Sequence, residues 1–195
     1  MTRLLDRADS VLVVIDAQPS FYGADRAGAA EALRAPLDRL AWLAGVATAL
    51  GVPAVVTEED APRNGPTAAE ILAALPATTP VLAKVVFGAA DQPDILAALE
   101  ATAARTAVLT GLETDVCVAH TGLGLLDRGW RVVVVEDATY APADGQSAGL
   151  RRLTRAGAEI AQAKGVYYEW VRTLAAARAF EREHPDLADP PGFSL

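Results

Sequence analysis

Short, continuous runs of apolar and β-branched residues alternate along the chain with longer stretches of helical spacing. Val11 to Ile15 is the first run, the pattern of a strand covered on both faces in a parallel sheet, and it ends at Asp16. Asp25 is placed to cap a helix from about Arg26 to Leu50, which Gly51 stops, and a second strand follows in VPAVVTEE from Val52. Beyond the polar loop DAPRNGP, the spacing Thr67-Ala-Ala-Glu70 is that of a capping box and predicts a short helix to Leu75. Pro80 to Val86 reads as the third strand, and Asp91 as the cap of a helix through about Ala104 that tolerates Pro93 in its first turn.

The fourth strand opens the stretch TAVLTGLETDVCV, Thr106 to Val118, and a helix continues from Cys117 to Arg128 and stops at Gly129. Within that helix the small residues of GLG at Gly122 permit close packing. Trp130 to Val135 forms a fifth strand closing on Glu136 and Asp137, and ATYAPADGQS after it has the length of a functional loop. A helix from Ser147 to Ala156, a weak sixth strand near Ala158 to Ala163 and a final helix from Tyr167 to about Glu183 complete the alternation. The tail PDLADPPGFSL, about 185–195, is proline-rich and reads as irregular, too polar to add to a core. Six strands alternating with helices predict an α/β fold: a three-layer αβα arrangement around a doubly wound, mostly parallel sheet of order 3-2-1-4-5-6. At 195 residues, one domain over 1–195 accounts for the chain. Trp42 and Trp170 fall at helical apolar positions and are expected in the core or an interface.

Half of the residues are hydrophobic, yet no segment approaches the ~18–20 uninterrupted apolar residues of a membrane span. The first residues, MTRLLDRADS, do not resemble a secretory signal, and one cysteine cannot form an internal disulfide, so a cytoplasmic location is expected. A net charge of −8 without a basic run argues against a nucleic-acid partner. Among 17 basic residues only Lys84 and Lys164 are lysines, which singles out Lys84 at the end of the third strand.

The chemistry concentrates at the carboxyl ends of the strands, where open α/β sheets bind ligands. Under the predicted order Asp16 and Cys117 follow neighbouring central strands, with Lys84 on the same edge. An acid, a lysine and a thiol form a set for nucleophilic acyl chemistry. Thr114 or Asp115 can cap the helix that carries Cys117, and the free N–H groups of that helix end would stabilise a thiolate, lowering its pKa, or hold an oxyanion. Each residue also has a simpler reading. Cys117 can be an inert buried cysteine, Asp16 a turn cap, and Lys84 the partner of a surface acid. A dinucleotide-binding glycine pattern is absent from the first turn, DAQPSFYG, as is a phosphate loop. Gln18 stands where an aspartyl phosphatase would carry its second acid. With only His120 and His184, metal sites are poorly served, and His120 reads as a packed or hydrogen-bonded helix residue.

The motifs VVIDAQPSF, KVVF, GLETDVCV and WRVVVVEDA, in this order and spacing, resemble the isochorismatase-like cysteine hydrolases, a family that includes nicotinamidases, N-carbamoylsarcosine amidases and ureidoacrylate amidohydrolases. The resemblance covers roughly Leu12 to Ala176. It implies a triad in which Asp16 takes the thiol proton, Cys117 attacks a carbonyl to give a thioester, and Lys84 balances the charge. It also implies a cis peptide at Leu112–Glu113, with the N–H groups of Glu113 and Cys117 directed at the oxyanion. Nicotinamidases place a histidine two residues after an acid to bind a metal. Here Asp60 is followed at that spacing by Pro62, so no metal or other cofactor is expected, nor nicotinamide as substrate. Isochorismatases proper cleave a vinyl ether and commonly lack the cysteine, so Cys117 points to acyl chemistry.

The expected function is therefore metal-independent hydrolysis of a small amide-like C–N bond. Vinyl-ether hydrolysis through Asp16 and a non-catalytic ligand-binding relative are the alternatives. Phe21 and Phe87 are expected to wall the pocket or else to pack in the core, and Gln18 to orient Asp16 or contact substrate. Tyr140 and Thr139 are weaker candidates for substrate binding. The partners expected are a small-molecule substrate and further copies of the chain, the tail crossing onto a neighbour.

Overall fold

The computed structural model of the protein describes residues 4–22 and 27–192. Its sheet contains β1 (Ser10–Ile15), β2 (Ala54–Glu59), β3 (Val81–Lys84), β4 (Thr106–Leu112), β5 (Arg131–Tyr140) and β6 (Glu159–Ala161) in the order β3-β2-β1-β4-β5-β6. Every pairing is parallel. This is the doubly wound α/β arrangement, and it accounts for the apolar runs. Every residue of β1 and β4 is buried, because helices cover both faces of the central strands.

Alternation along β1 divides the core. Leu12 and Val14 face a cluster with Leu40 and Leu43 of α1 (Ala27–Leu50) and with Tyr167 and Trp170. Val11, Val13 and Ile15 face the opposite layer, with Ile95, Leu99 and Leu125. Short helices α2 (Ala61–Asn64) and α3 (Ala69–Ala74) follow β2; α4 (Pro93–Ala101) and α5 (Ala119–Asp127) flank β4; and α6 (Gly145–Ala156) follows β5. Trp42 and Trp170 are both in the core, and a Cβ on Gly122 would sit 2.6 Å from Leu153 of α6, so that glycine does permit close packing. Among the described residues no helix is long and apolar enough to cross a membrane.

Several local expectations fail for identifiable reasons. The cap expected of Asp25 and the helix start at Arg26 lie outside the described residues. Thr67 does not form a capping box; its N–H donates to Glu58 Oε1 at 2.7 Å and α3 begins without a side-chain cap. Asp91 ends a short 3-10 turn, α4 starts after Gln92 and stops at Ala101, and Ala103 turns at φ 61°. β5 runs on through Glu136 and Asp137 to Tyr140, into the presumed loop. Pairing with β4 jumps from Leu109↔Val134 to Gly111↔Thr139, and the extra residues are taken up in that irregularity. The last helix divides into α7 (Ala163–Val171) and α8 (Leu174–Glu183). Arg172 takes φ 68° while its guanidinium donates to the Leu5 carbonyl, and Thr173 accepts from the N–H of Ala176 to start α8. Apolar spacing alone does not reveal that break. The tail also folds back on its own chain, where the Leu187 carbonyl accepts from Trp42 Nε1 at 2.9 Å and its side chain packs over Gly45.

Parallel pairing brings the functional ends together. Ile15 is in register with Thr57 of β2 and Gly111 of β4, and Glu59 with Lys84 of β3. Gly111 has φ 106°, and a Cβ there would lie 1.9 Å from the Ile15 carbonyl oxygen. Gly111→Ala is therefore expected to lower stability by about 4 kcal/mol or more, measured as the urea midpoint and slope. A loss below about 1 kcal/mol would contradict this close approach.

Candidate active site

β1 ends by turning Asp16 into the left-handed region at φ 45°, held by its N–H to the Thr57 carbonyl at 3.0 Å. Its carboxylate is wholly buried and takes two partners. Thr57 Oγ1 donates to Oδ1 at 2.8 Å, and Lys84 Nζ lies 2.7 Å from Oδ2. The Lys84 side chain is equally buried and also donates to the Val86 carbonyl at 2.9 Å. Its remaining neighbours are Cys117 Sγ and Glu59 Oε2, each at 3.4 Å. Cys117 belongs to the π-type turn Thr114–Val118 that precedes α5, and the Leu112–Glu113 peptide ahead of it is cis. Neither Thr114 nor Asp115 caps this turn; Thr114 Oγ1 donates instead to Gln146.

The three residues grouped from the sequence thus meet, and a fourth joins them. The Cys117 thiol donates to Glu59 Oε2 at 3.1 Å. Glu59 escapes the sequence reading, which weighs the adjacent Asp60. Yet Asp60 turns away at φ 41° and is exposed, whereas Glu59 is the last residue of β2 and points to the same edge as Thr57. The signal was available: alternation along a strand puts residues two apart on one side, and the binding edge collects strand-terminal side chains.

Cys117 lies at the base of a pocket of about 330 Å³ lined also by Ser20, Phe21, Glu59, Arg63, Asn64, Phe87, Glu113 and Val116. Phe21 and Phe87 therefore stand in the pocket wall, and His120, exposed rather than packed inside, makes an edge-to-face contact behind Phe87. Gln18 does not reach the pocket. It is fully buried, its Nε2 donates to the carbonyls of Glu59 and Gly65, and its Oε1 accepts from the N–H of Glu59, which fixes that residue in place. Tyr140 is likewise set back, packing edge-on against Tyr22, whose hydroxyl donates to Glu113 Oε1 at 2.6 Å. Thr139 is buried and interacts with Glu136 and Gln146.

The electrostatics reverse one expectation. Burial pushes the Cys117 thiol well above its ordinary range; the Asp16 charge and the hydrogen bond to Glu59 add to this, and Lys84 only partly opposes them. Burial thus opposes the thiolate that the helix end is expected to favour. Burial also raises Asp16, despite Lys84 and Thr57, which makes it a stronger proton acceptor than an ordinary aspartate. Burial works against the Lys84 ammonium, but Asp16, Cys117 and Glu59 together raise its pKa, so it stays charged. One carboxylate oxygen each from Asp16 and Glu59 and the sulfur lie within 4.8 Å of one another, a spacing that suits a metal ion. The Lys84 ammonium already contacts all three groups, so the cation of this donor set is the protein's own.

Alkylation of Cys117 followed against pH is expected to give an apparent pKa above the ordinary value of about 8.5. Asp16→Asn removes a negative neighbour and should lower it, whereas Lys84→Met removes the cation and should raise it. A depressed wild-type value, or indifference to both substitutions, would contradict this charge arrangement.

The Isochorismatase domain profile matches residues 10–165. The probable hydrolase YcaC of Escherichia coli is 29% identical over 169 residues, covering 85% of this chain and 79% of that protein. Its crystal structure, described as an octameric hydrolase of unknown specificity, superposes with a TM-score of 0.79 over 96% of this chain and 94% of that one. YcaC of Pseudomonas aeruginosa, solved with hexane-2,5-diol and covalent acrylamide, is 26% identical with a TM-score of 0.78, covering 96% and 95%. Isochorismatase domain-containing protein 1 of Danio rerio is 34% identical over 142 residues, or 72% of this chain, and the match spans 46% of that longer protein. With this profile spanning most of its length and a fold shared with hydrolases, the chain belongs to the Isochorismatase domain family.

Proposed function

We propose that this member of a hydrolase family hydrolyses an amide-like C–N bond of a small molecule through a thioester on Cys117. The observation that carries this reading is the Lys84 ammonium between the Asp16 carboxylate, at 2.7 Å, and the thiol sulfur, at 3.4 Å, beneath a pocket of molecular size. Asp16 accepts the thiol proton as sulfur attacks the carbonyl carbon, and Lys84 holds the negative charge that passes between them. The backbone N–H groups of Glu113 and Cys117 serve the oxyanion. When the intermediate collapses, the C–N bond breaks and Asp16 returns the proton to the leaving nitrogen. Water then gives a proton to Asp16, adds to the thioester and releases the acid as the C–S bond breaks, and sulfur recovers its proton.

Hydrolysis of a panel of small primary amides, read as ammonia release, should fall by on the order of 10⁴ or more in Cys117→Ala. It should fall by roughly 10²–10⁴ in Asp16→Asn and Lys84→Met. Rapid quenching with mass spectrometry should find the acyl group on Cys117. Ammonia release that survives Cys117→Ala would sink the thioester route.

We also propose that the chain forms a homo-oligomer. Val81, Val85 and Phe87 are exposed on and just beyond β3, an edge strand, and the E. coli relative is octameric. Light scattering at micromolar concentration should give a multiple of the chain mass; a monomer would reject this.

A further inference from the structure

From the geometry around Glu59 we infer that the pocket selects a positively charged small amide and rejects an anionic one. The inference rests on the proposed amide chemistry and adds the substrate class. Glu59 presents one carboxylate oxygen, Oε2, to the thiol and to Lys84. Its Oε1 meets no hydrogen-bond donor among the described residues, although the side chain lines the pocket and is 24% exposed. A carboxylate oxygen that no protein donor holds can take an N–H or a cation from a ligand in place of water.

The rest of the lining agrees. Phe21 and Phe87 supply two aromatic rings, surfaces that favour a flat group or a cation. Glu113 adds a second carboxylate, whose Oε1 accepts from Tyr22. Among the described residues the one cation in the lining is Arg63, exposed at the short helix α2. The Lys84 charge is turned inward to Asp16. A carboxylate ligand would therefore meet two acids with one solvated guanidinium to offset them. An ammonium, amidinium or guanidinium group beside the scissile carbonyl would complete the Glu59 oxygen instead. Gln18 holds the Glu59 backbone at both its N–H and its carbonyl, and Lys84 and the thiol hold Oε2, so the carboxylate is positioned before any ligand arrives.

The test uses size-matched methanethiosulfonates on the intact protein. Their reaction joins the reagent thiol to Cys117 as a disulfide and expels methanesulfinate. Rates with the 2-ammonioethyl and the 2-sulfonatoethyl reagents are each divided by the rate with a small free thiol, and their ratio is taken. Changes in the Cys117 pKa affect both reagents alike and cancel. The wild-type ratio should favour the cation by about tenfold or more, and Glu59→Gln should reduce it about tenfold. A wild-type ratio at or below one overturns the inference without any variant, as does a ratio that Glu59→Gln leaves unchanged. Failure here is separable from failure of the amide reading. Charge preference can vanish while Cys117-dependent ammonia release persists, and it can persist where no acyl adduct forms.

Discussion

Everything at the binding edge depends on one buried ion pair. Asp16 and Lys84 lie 2.7 Å apart with no solvent exposure of either side chain. Burying either charge alone would cost several kcal/mol, so neither position is tolerable without the other. Lys84 comes from the edge strand β3 and Asp16 from the central β1, so the ammonium crosses the end of β2 to reach its partner. The hydrogen bonds from Thr57 to Asp16 and from Lys84 to the Val86 carbonyl complete both ions. Three strand ends are thereby fixed relative to one another, and the sulfur is held against them.

That pair also sets the state of the sulfur. A thiolate would add a negative charge beside Asp16 and Glu59, with a single ammonium to offset all three. The protein instead keeps a thiol that hydrogen-bonds to Glu59. In the proposed mechanism the nucleophile is generated by moving a proton to a carboxylate whose affinity for it burial has raised, rather than by resting as an anion at a helix end. Desolvation acts on the whole charge of a thiolate, while a helix dipole offers a fraction of one.

The strands were legible because two-sided burial leaves an unbroken apolar run, as in Val11 to Ile15 and the segment from Thr106, and the alternation with helices then limits the sheet order to few choices. Caps were less so. Thr67 and Asp91 carry side chains that can cap, but the Thr67 N–H is drawn to Glu58 while its hydroxyl takes no hydrogen-bond partner among the described residues, and Asp91 closes a 3-10 turn. The sequence predicts Gln18 facing Asp16 or substrate, whereas the close approach of the Glu59 and Gly65 backbones claims both ends of its amide. Glu59 escapes the sequence reading because two adjacent acids differ only in which side of the strand end they face, and Asp60 is the one weighed, against a metal-binding spacing that Pro62 breaks.

The sequence by itself determined the alternation of elements, the doubly wound topology and the gathering of Asp16, Lys84 and Cys117 at one edge, because periodicity and chain connectivity fix where strands end. Only the tertiary structure decided what those groups experience: which carboxylate meets the thiol, which way the sulfur titrates, and which aromatic and acidic side chains enclose it. Those properties depend on distances of a few ångströms and on the exclusion of water, and both arise from packing between segments remote in the chain.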